Sequence, residues 1–127
     1  MRVTWLYSGD DGESHFADLE IPTTDAAASR WFTEFIPANG VSFIGSPSPL
    51  VSGYHPAPRR QFVIQISGMA EVQLADGSSR RFEAGDVLLA DDTEGHGHVM
   101  HLTGTAPAFS AWVSVPKSLD LARWLVK

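Results

Sequence analysis

Short alternations of apolar and polar residues, broken at frequent turns, run through most of the chain and predict strands. Val, Ile, Phe and Trp recur at a two-residue period near Arg2–Tyr7, Ser14–Ile21, Val41–Ile44, Val51–His55, Arg60–Ile66, Glu71–Leu74, Ser79–Phe82, Asp86–Ala90, His98–Leu102 and Phe109–Val115. Asp11-Gly12 and Asp76-Gly77 each separate two of these runs, and Asp-Gly favours a tight hairpin turn because glycine tolerates a positive φ. One segment departs from the rhythm. Ala28, Trp31, Phe32 and Phe35 fall at i, i+3, i+4 and i+7, which predicts one short helix near residues 25–36, ended by Pro37. Leu121, Trp124 and Leu125 share a helical face and predict a C-terminal helical turn within residues 118–126. So many short strands must stack as two sheets or close into a barrel, since an open sheet leaves its edges unpaired.

Composition narrows what such a fold does. At 127 residues and 43% apolar, the chain predicts a single domain over residues 1–127 with one core. Nine Lys and Arg against fifteen Asp and Glu give a net charge of -6, and the basic residues are scattered apart from Arg59-Arg60 and Arg80-Arg81. Neither nucleic acid nor an anionic membrane is therefore an expected partner. The absence of cysteine removes disulfides, thiolate nucleophiles and sulfur-ligated metals, so any metal would have to use His, Gln, Asp or Glu. The first apolar stretch meets Asp10-Asp11 too soon for a secretory signal, and Val87–Ala90 is far short of a membrane span. The expectation is a soluble, cytoplasmic protein.

Parity along residues 60–66 poses the sharpest question. Phe62, Ile64 and Ile66 alternate with Gln61, Val63 and Gln65, so period alone puts the even face in the core and the odd face in solvent. Amides buried without partners would each cost roughly 1–3 kcal/mol, so Gln61 and Gln65 face either a ligand or water. Arg59 shares the parity of Gln61 and is the better candidate for a cation that clamps a carboxylate or enol oxygen with its planar fork. Arg60 points the other way. His96 and His98 share a parity opposite to that of His101, which reads as structural or exposed. Arg80, Arg81, Glu83, Asp91 and Asp92 read as solvated turn and strand-edge charges. No Gly-x-Ser-x-Gly elbow, phosphate loop or dinucleotide fingerprint occurs.

The order of motifs resembles the cupin superfamily. His55-Pro56-Ala57-Pro58-Arg59-Arg60-Gln61 and Gly68 match the first cupin motif, with His55 as its first histidine, Ala57 in place of the second, Gln61 in place of the glutamate and Gly68 as the closing glycine. Gly85 opens the second motif, whose histidine is His96 by strict counting, with Asp91 and Thr93 replacing the usual Pro and Gly. A subset of small cupins is closer still, with His-x-x-Pro-Arg-Arg-Gln, Arg-Arg-Phe after an Asp-Gly hairpin, Gly-Asp-Val-Leu-Leu, and Asp-Thr-x-Gly-x-Gly-His. That pattern assigns the second-motif histidine to His98. The resemblance covers roughly residues 50–103.

It implies an all-β cupin-type β-barrel, the double-stranded β-helix or jelly roll, in which strands converge on a lumen. It also implies a small-molecule enzyme of isomerase, lyase, cyclase or dioxygenase type acting on an oxygenated organic acid, sugar or keto compound. The implied catalytic residues are His55, His98 and Arg59. The implied ligand-binding residues are Tyr54, Gln61 and Gln65. A divalent metal (Fe, Mn, Ni, Co, Cu or Zn) would sit on His55, Gln61 and His98, with His96 or His15 as alternatives. The implied partner is a second copy in a homodimer that covers the even face of residues 60–66. The alternative function is a non-catalytic small-ligand binding or sensor module.

Overall fold

The Asp11-Gly12 turn does what its sequence predicts. It pairs β1 (Arg2–Ser8) with β2 (Ser14–Glu20) in antiparallel register, with Gly12 at φ 79°. The computed structural model describes residues 1–26, 30–104 and 107–127. Ten further strands follow: β3 (Thr24–Ala26), β4 (Arg30–Phe32), β5 (Gly40–Ser46), β6 (Leu50–Val51), β7 (Gln61–Ser67), β8 (Met69–Gln73), β9 (Ser79–Phe82), β10 (Val87–Asp91), β11 (Val99–Thr103) and β12 (Ala108–Ser114). They build a six-stranded sheet in the order β2-β1-β10-β7-β12-β5 and a four-stranded sheet in the order β6-β11-β8-β9, with β3 and β4 paired separately. All pairings are antiparallel except β1 with β10. The architecture is all-β, and the two sheets do not join into one closed cylinder.

Two apolar layers hold this arrangement. Leu6, Val72, Leu74, Phe82 and Leu88 form a core cluster drawn from both sheets. On the opposite face of the six-stranded sheet, Val3, Leu19, Phe62 and Leu89 pack against Leu121 and Trp124 of the C-terminal segment. Leu6, Leu19 and Leu89 lose all their exposure, and each such side chain stabilises the fold by about 1.5–3 kcal/mol. The C-terminal segment is also latched. Arg60 makes a two-pronged ion pair with Asp91 at 2.8 and 3.1 Å and donates to the carbonyls of Lys117 and Leu119. Trp5 Nε1 donates to the same Asp91 carboxylate at 3.0 Å. The predicted C-terminal helical turn is a 3-10 turn over Ala122–Trp124.

The helix predicted near residues 25–36 is not formed. The described residues there are β3 and β4, followed by irregular chain, and Ala28 lies outside the described residues. Phe35 is fully exposed and Trp31 is 69% exposed. An isolated helix of this length is marginal, and it persists only when its apolar stripe is covered. Here Leu121 and Trp124 cover Val3 and Leu19, and of this segment Ile36 packs onto the outer cluster while Trp31 and Phe35 stay exposed. The run expected at Val51–His55 is a strand only over Leu50–Val51, after which His55 makes a single bridge to His98. No helix among the described residues is long and apolar enough to cross a membrane.

Candidate functional site

The alternation of β7 resolves against simple period. Gln61 and Gln65 are buried at 3% and 5% exposure and share the inner face with Val63, while Phe62 packs outward and Ile66 is half exposed. The inner face lines a cavity of about 210 Å³ whose wall includes His55, His98, both glutamines, Leu88 and Trp112. A second cavity of about 200 Å³ lies on the outer face between Ile36, Phe62, Ile64, Val87 and Val113 and is lined by no ionisable side chain. The chemistry-bearing groups gather in the first.

Two segments bring the imidazoles together. His55 and His98 exchange both backbone hydrogen bonds at 3.0 Å, and their ring centroids lie 4.7 Å apart at an interplanar angle of 51°. Gly97, at φ 82°, makes this possible: a Cβ there would collide with the His55 carbonyl. Gly95 has the same constraint against the Gly12 carbonyl, so the loop from residue 92 to 98 is fixed at the β1–β2 turn as well.

Hydrogen bonding fixes which ring nitrogen is available. His55 Nδ1–H donates to the Gly53 carbonyl at 2.9 Å. His98 Nδ1–H donates to Asp92 Oδ2 at 2.6 Å. A carbonyl or carboxylate oxygen only accepts, so each neutral ring carries its proton on Nδ1 and its lone pair on Nε2. Asp92 has no exposure, and its Oδ2 also accepts from the Ser14 hydroxyl at 2.7 Å. Its Oδ1 is buried with no partner among the described residues. The Asp92 carboxylate therefore orients His98 as a buried carboxylate orients the imidazole of a hydrolase triad.

The other expected residues divide sharply. Arg59, exposed beside the cavity, donates from Nη1 to Gln61 Oε1 at 3.2 Å, and both line a groove that shares Ile44 and Trp112 with the cavity. Gln65 Nε2 donates to the Ser67 carbonyl at 2.9 Å. Tyr54 is not in the cavity wall; its ring stacks on His96 at 4.1 Å. His96 turns outward to Glu13 Oε2 at 3.0 Å. The shared parity expected of His96 and His98 fails because the positive φ of Gly95 and Gly97 breaks the extended conformation between them. His15 also lies apart, donating to the Asp11 carboxylate from the β1–β2 hairpin. His101 is structural, bonded to Gln73 at 3.0 Å.

Asp91 and Asp92 correct the reading of solvated edge charges: the first forms the Arg60 latch and the second is fully buried against His98. Arg80 is likewise engaged, donating to Asp18 at 2.7 Å and lying over the Phe16 ring. Ser14 had no sequence signal, because it reaches Asp92 across 78 residues. Asp92 carried a faint one in its spacing before His98.

Among the described residues, no group of three or more His, Cys, Asp or Glu is placed to hold a metal ion. The donor chemistry agrees. At the position of the second motif histidine, Ala57 presents only a methyl group to the cavity, and the Gln61 oxygen already accepts from a guanidinium. A divalent cation on His55, Gln61 and His98 would gain no carboxylate charge and would face the positive Arg59. These residues do not fit a tightly held metal. The chain matches no protein-family model and no curated protein sequence.

Proposed function

We propose that the chain is a small-molecule enzyme of cupin type that moves protons on an oxygenated organic compound, an acid, sugar or keto compound, within the cavity between its two sheets. The observation that carries this reading is the facing pair of imidazoles, each with Nδ1–H tied down and Nε2 left basic. Two segments that resemble the cupin motifs meet at His55 and His98, and two facing sheets are what a cupin-type double-stranded β-helix requires.

In this reading one Nε2 removes a proton from the carbon next to a carbonyl, and the electron pair moves onto the carbonyl oxygen. Arg59 donates hydrogen bonds to the oxyanion or to a neighbouring carboxylate. The imidazolium so formed returns its proton at another carbon or to a departing group. Isomerase, lyase and cyclase chemistry need nothing more. A dioxygenase needs a redox centre that this donor set does not suit.

The test is exchange of substrate carbon-bound hydrogen in deuterium oxide, followed by proton NMR over a panel of 2-oxo acids, with metal content measured on untagged protein. Exchange that disappears in His98→Gln supports the reading. No exchange across the panel, with ligand binding intact in both His55→Ala and His98→Gln, moves the assignment to a non-catalytic binding or sensor module. The loss of ligating groups at Ala57 and Gln61 favours that second reading.

We further infer a homodimer. Val41, Phe43, Ile66 and Phe109 are 58%, 73%, 49% and 45% exposed on three neighbouring strands of the six-stranded sheet. Exposed apolar side chains in such proximity mark a contact surface. A monomeric mass by light scattering would overturn it.

A further inference from the structure

The cavity is polarised along its length, and that narrows what it accepts. Strand register fixes the order of its wall. Gln61 lies level with Ala90 and Ser114, Val63 with Leu88 and Trp112, and Gln65 with Ser110. On the facing sheet, Met100 pairs with Val72 and Leu102 with both Ala70 and Leu50. His55, His98 and Gln61 therefore gather at one end, where Arg59 reaches Gln61 from the adjoining groove, while Leu50, Ala70 and Leu102 lie toward the other beside Gln65, Ser110 and Ser46. Three of the polar side chains away from the imidazoles are engaged, and the Ser46 hydroxyl makes no hydrogen bond among the described residues. Gln65 Nε2 is bonded to Ser67, Ser110 Oγ accepts from Trp112 Nε1, and Ser52 Oγ accepts from the Met100 amide.

A sugar carries a hydroxyl on nearly every carbon, and each one buried without a partner is penalised. The apolar end has few free groups to meet them. A cation and two imidazoles at one end of an apolar chamber suit an anionic head on a hydrocarbon body. Within the proton-transfer reading on which this rests, we infer that the substrate is an amphipathic 2-oxo acid. Its carboxylate lies at Arg59, its acidic carbon lies against the cavity side of the touching His55–His98 pair, and its aliphatic or aromatic tail runs toward Leu102. The cavity of about 210 Å³ has room for a tail carrying one ring. The reaction is then enolisation. An imidazole takes the C3 proton at Nε2, the C3–H electron pair becomes the C2–C3 double bond, the carbonyl pair moves to oxygen, and the imidazolium so formed gives that proton to the oxygen. No redox partner is involved.

Phenylpyruvate, pyruvate and gluconate are the probes, titrated by calorimetry against the intact protein, with C3 deuterium exchange of the two 2-oxo acids read by NMR. Phenylpyruvate is expected to bind at least roughly tenfold more tightly than pyruvate, because the ring removes apolar area from water. Gluconate is expected not to bind. Arg59→Met should weaken phenylpyruvate at least tenfold. Leu102→Trp, which fills the apolar end, should abolish the preference for phenylpyruvate over pyruvate. The comparison of the three probes on the unaltered protein stands even if that variant fails to fold. Gluconate binding as tightly as phenylpyruvate, or no preference for the ring, overturns the inference. Exchange without ring preference overturns it while the proton-transfer reading stands. Ring-selective binding without exchange upholds the amphipathic ligand and overturns the chemistry.

Discussion

His96 and His98 sit two residues apart on one loop and have opposite surroundings. His98 is 4% exposed, held by a buried carboxylate and turned into the cavity wall. His96 lies at the surface, stacked on Tyr54 and bonded to Glu13. The difference comes from the backbone, because Gly95 and Gly97 adopt positive φ on either side of His96 and reverse its direction. The imidazole alone therefore marks no site. What separates the two rings is that His98 lines the cavity between the sheets while His96 lies at the surface.

The largest expected contrast is in turnover. His98→Ala should lower proton exchange on a 2-oxo acid by roughly 10²–10⁴-fold, whereas His96→Ala should change it by less than about threefold. Equal losses would erase the distinction drawn between the two rings. Gly97→Ala should be the most damaging to stability. The positive φ and the collision with the His55 carbonyl together should cost about 3 kcal/mol or more, visible as a lowered urea midpoint. Gly53→Ala, where a Cβ would meet nothing within 4 Å, serves as the control. Removing the Ser14 hydroxyl that supports Asp92 should cost about 1–3 kcal/mol, because Asp92 already has one unpartnered buried oxygen.

The smallest effect lies on the exposed side of the loop. The Glu13 backbone N–H, and after it the His15 side chain, hold the Asp11 carboxyl below its ordinary value of 3.8. A carboxyl lowered in the folded state adds stability above its unfolded value, and that stability is lost as pH falls through the lowered one. Asp11→Asn should therefore slightly lower the urea midpoint at neutral pH and flatten the acid limb, the two profiles converging below about pH 4.

The sequence made the strands legible, because period-two alternation and Asp-Gly turns are local signals. His55, Gln61 and His98 are legible as a set only through the resemblance to small cupins, since strict counting of the second motif points to His96. Asp92 was misread because a carboxylate in an Asp-Asp pair beside a turn normally meets water. Its burial depends on Ser14, and the parallel pairing of β1 with β10, a long-range contact no local pattern encodes, brings the two together. The stripe at residues 25–36 failed for the complementary reason. Its spacing was helical, but Trp31 and Phe35 find no cover and only Ile36 packs onto the outer cluster.

The Arg60 latch has a consequence for the far end of the chain. Arg60 grips main-chain oxygens at positions 117 and 119, and its ion-pair partner, Asp91, directly precedes the residue that aims His98. A tether made through peptide oxygens is indifferent to which side chains occupy those positions but not to whether the segment is there. Drift in the tail's composition should pass unnoticed, while trimming it would loosen an imidazole some twenty residues upstream.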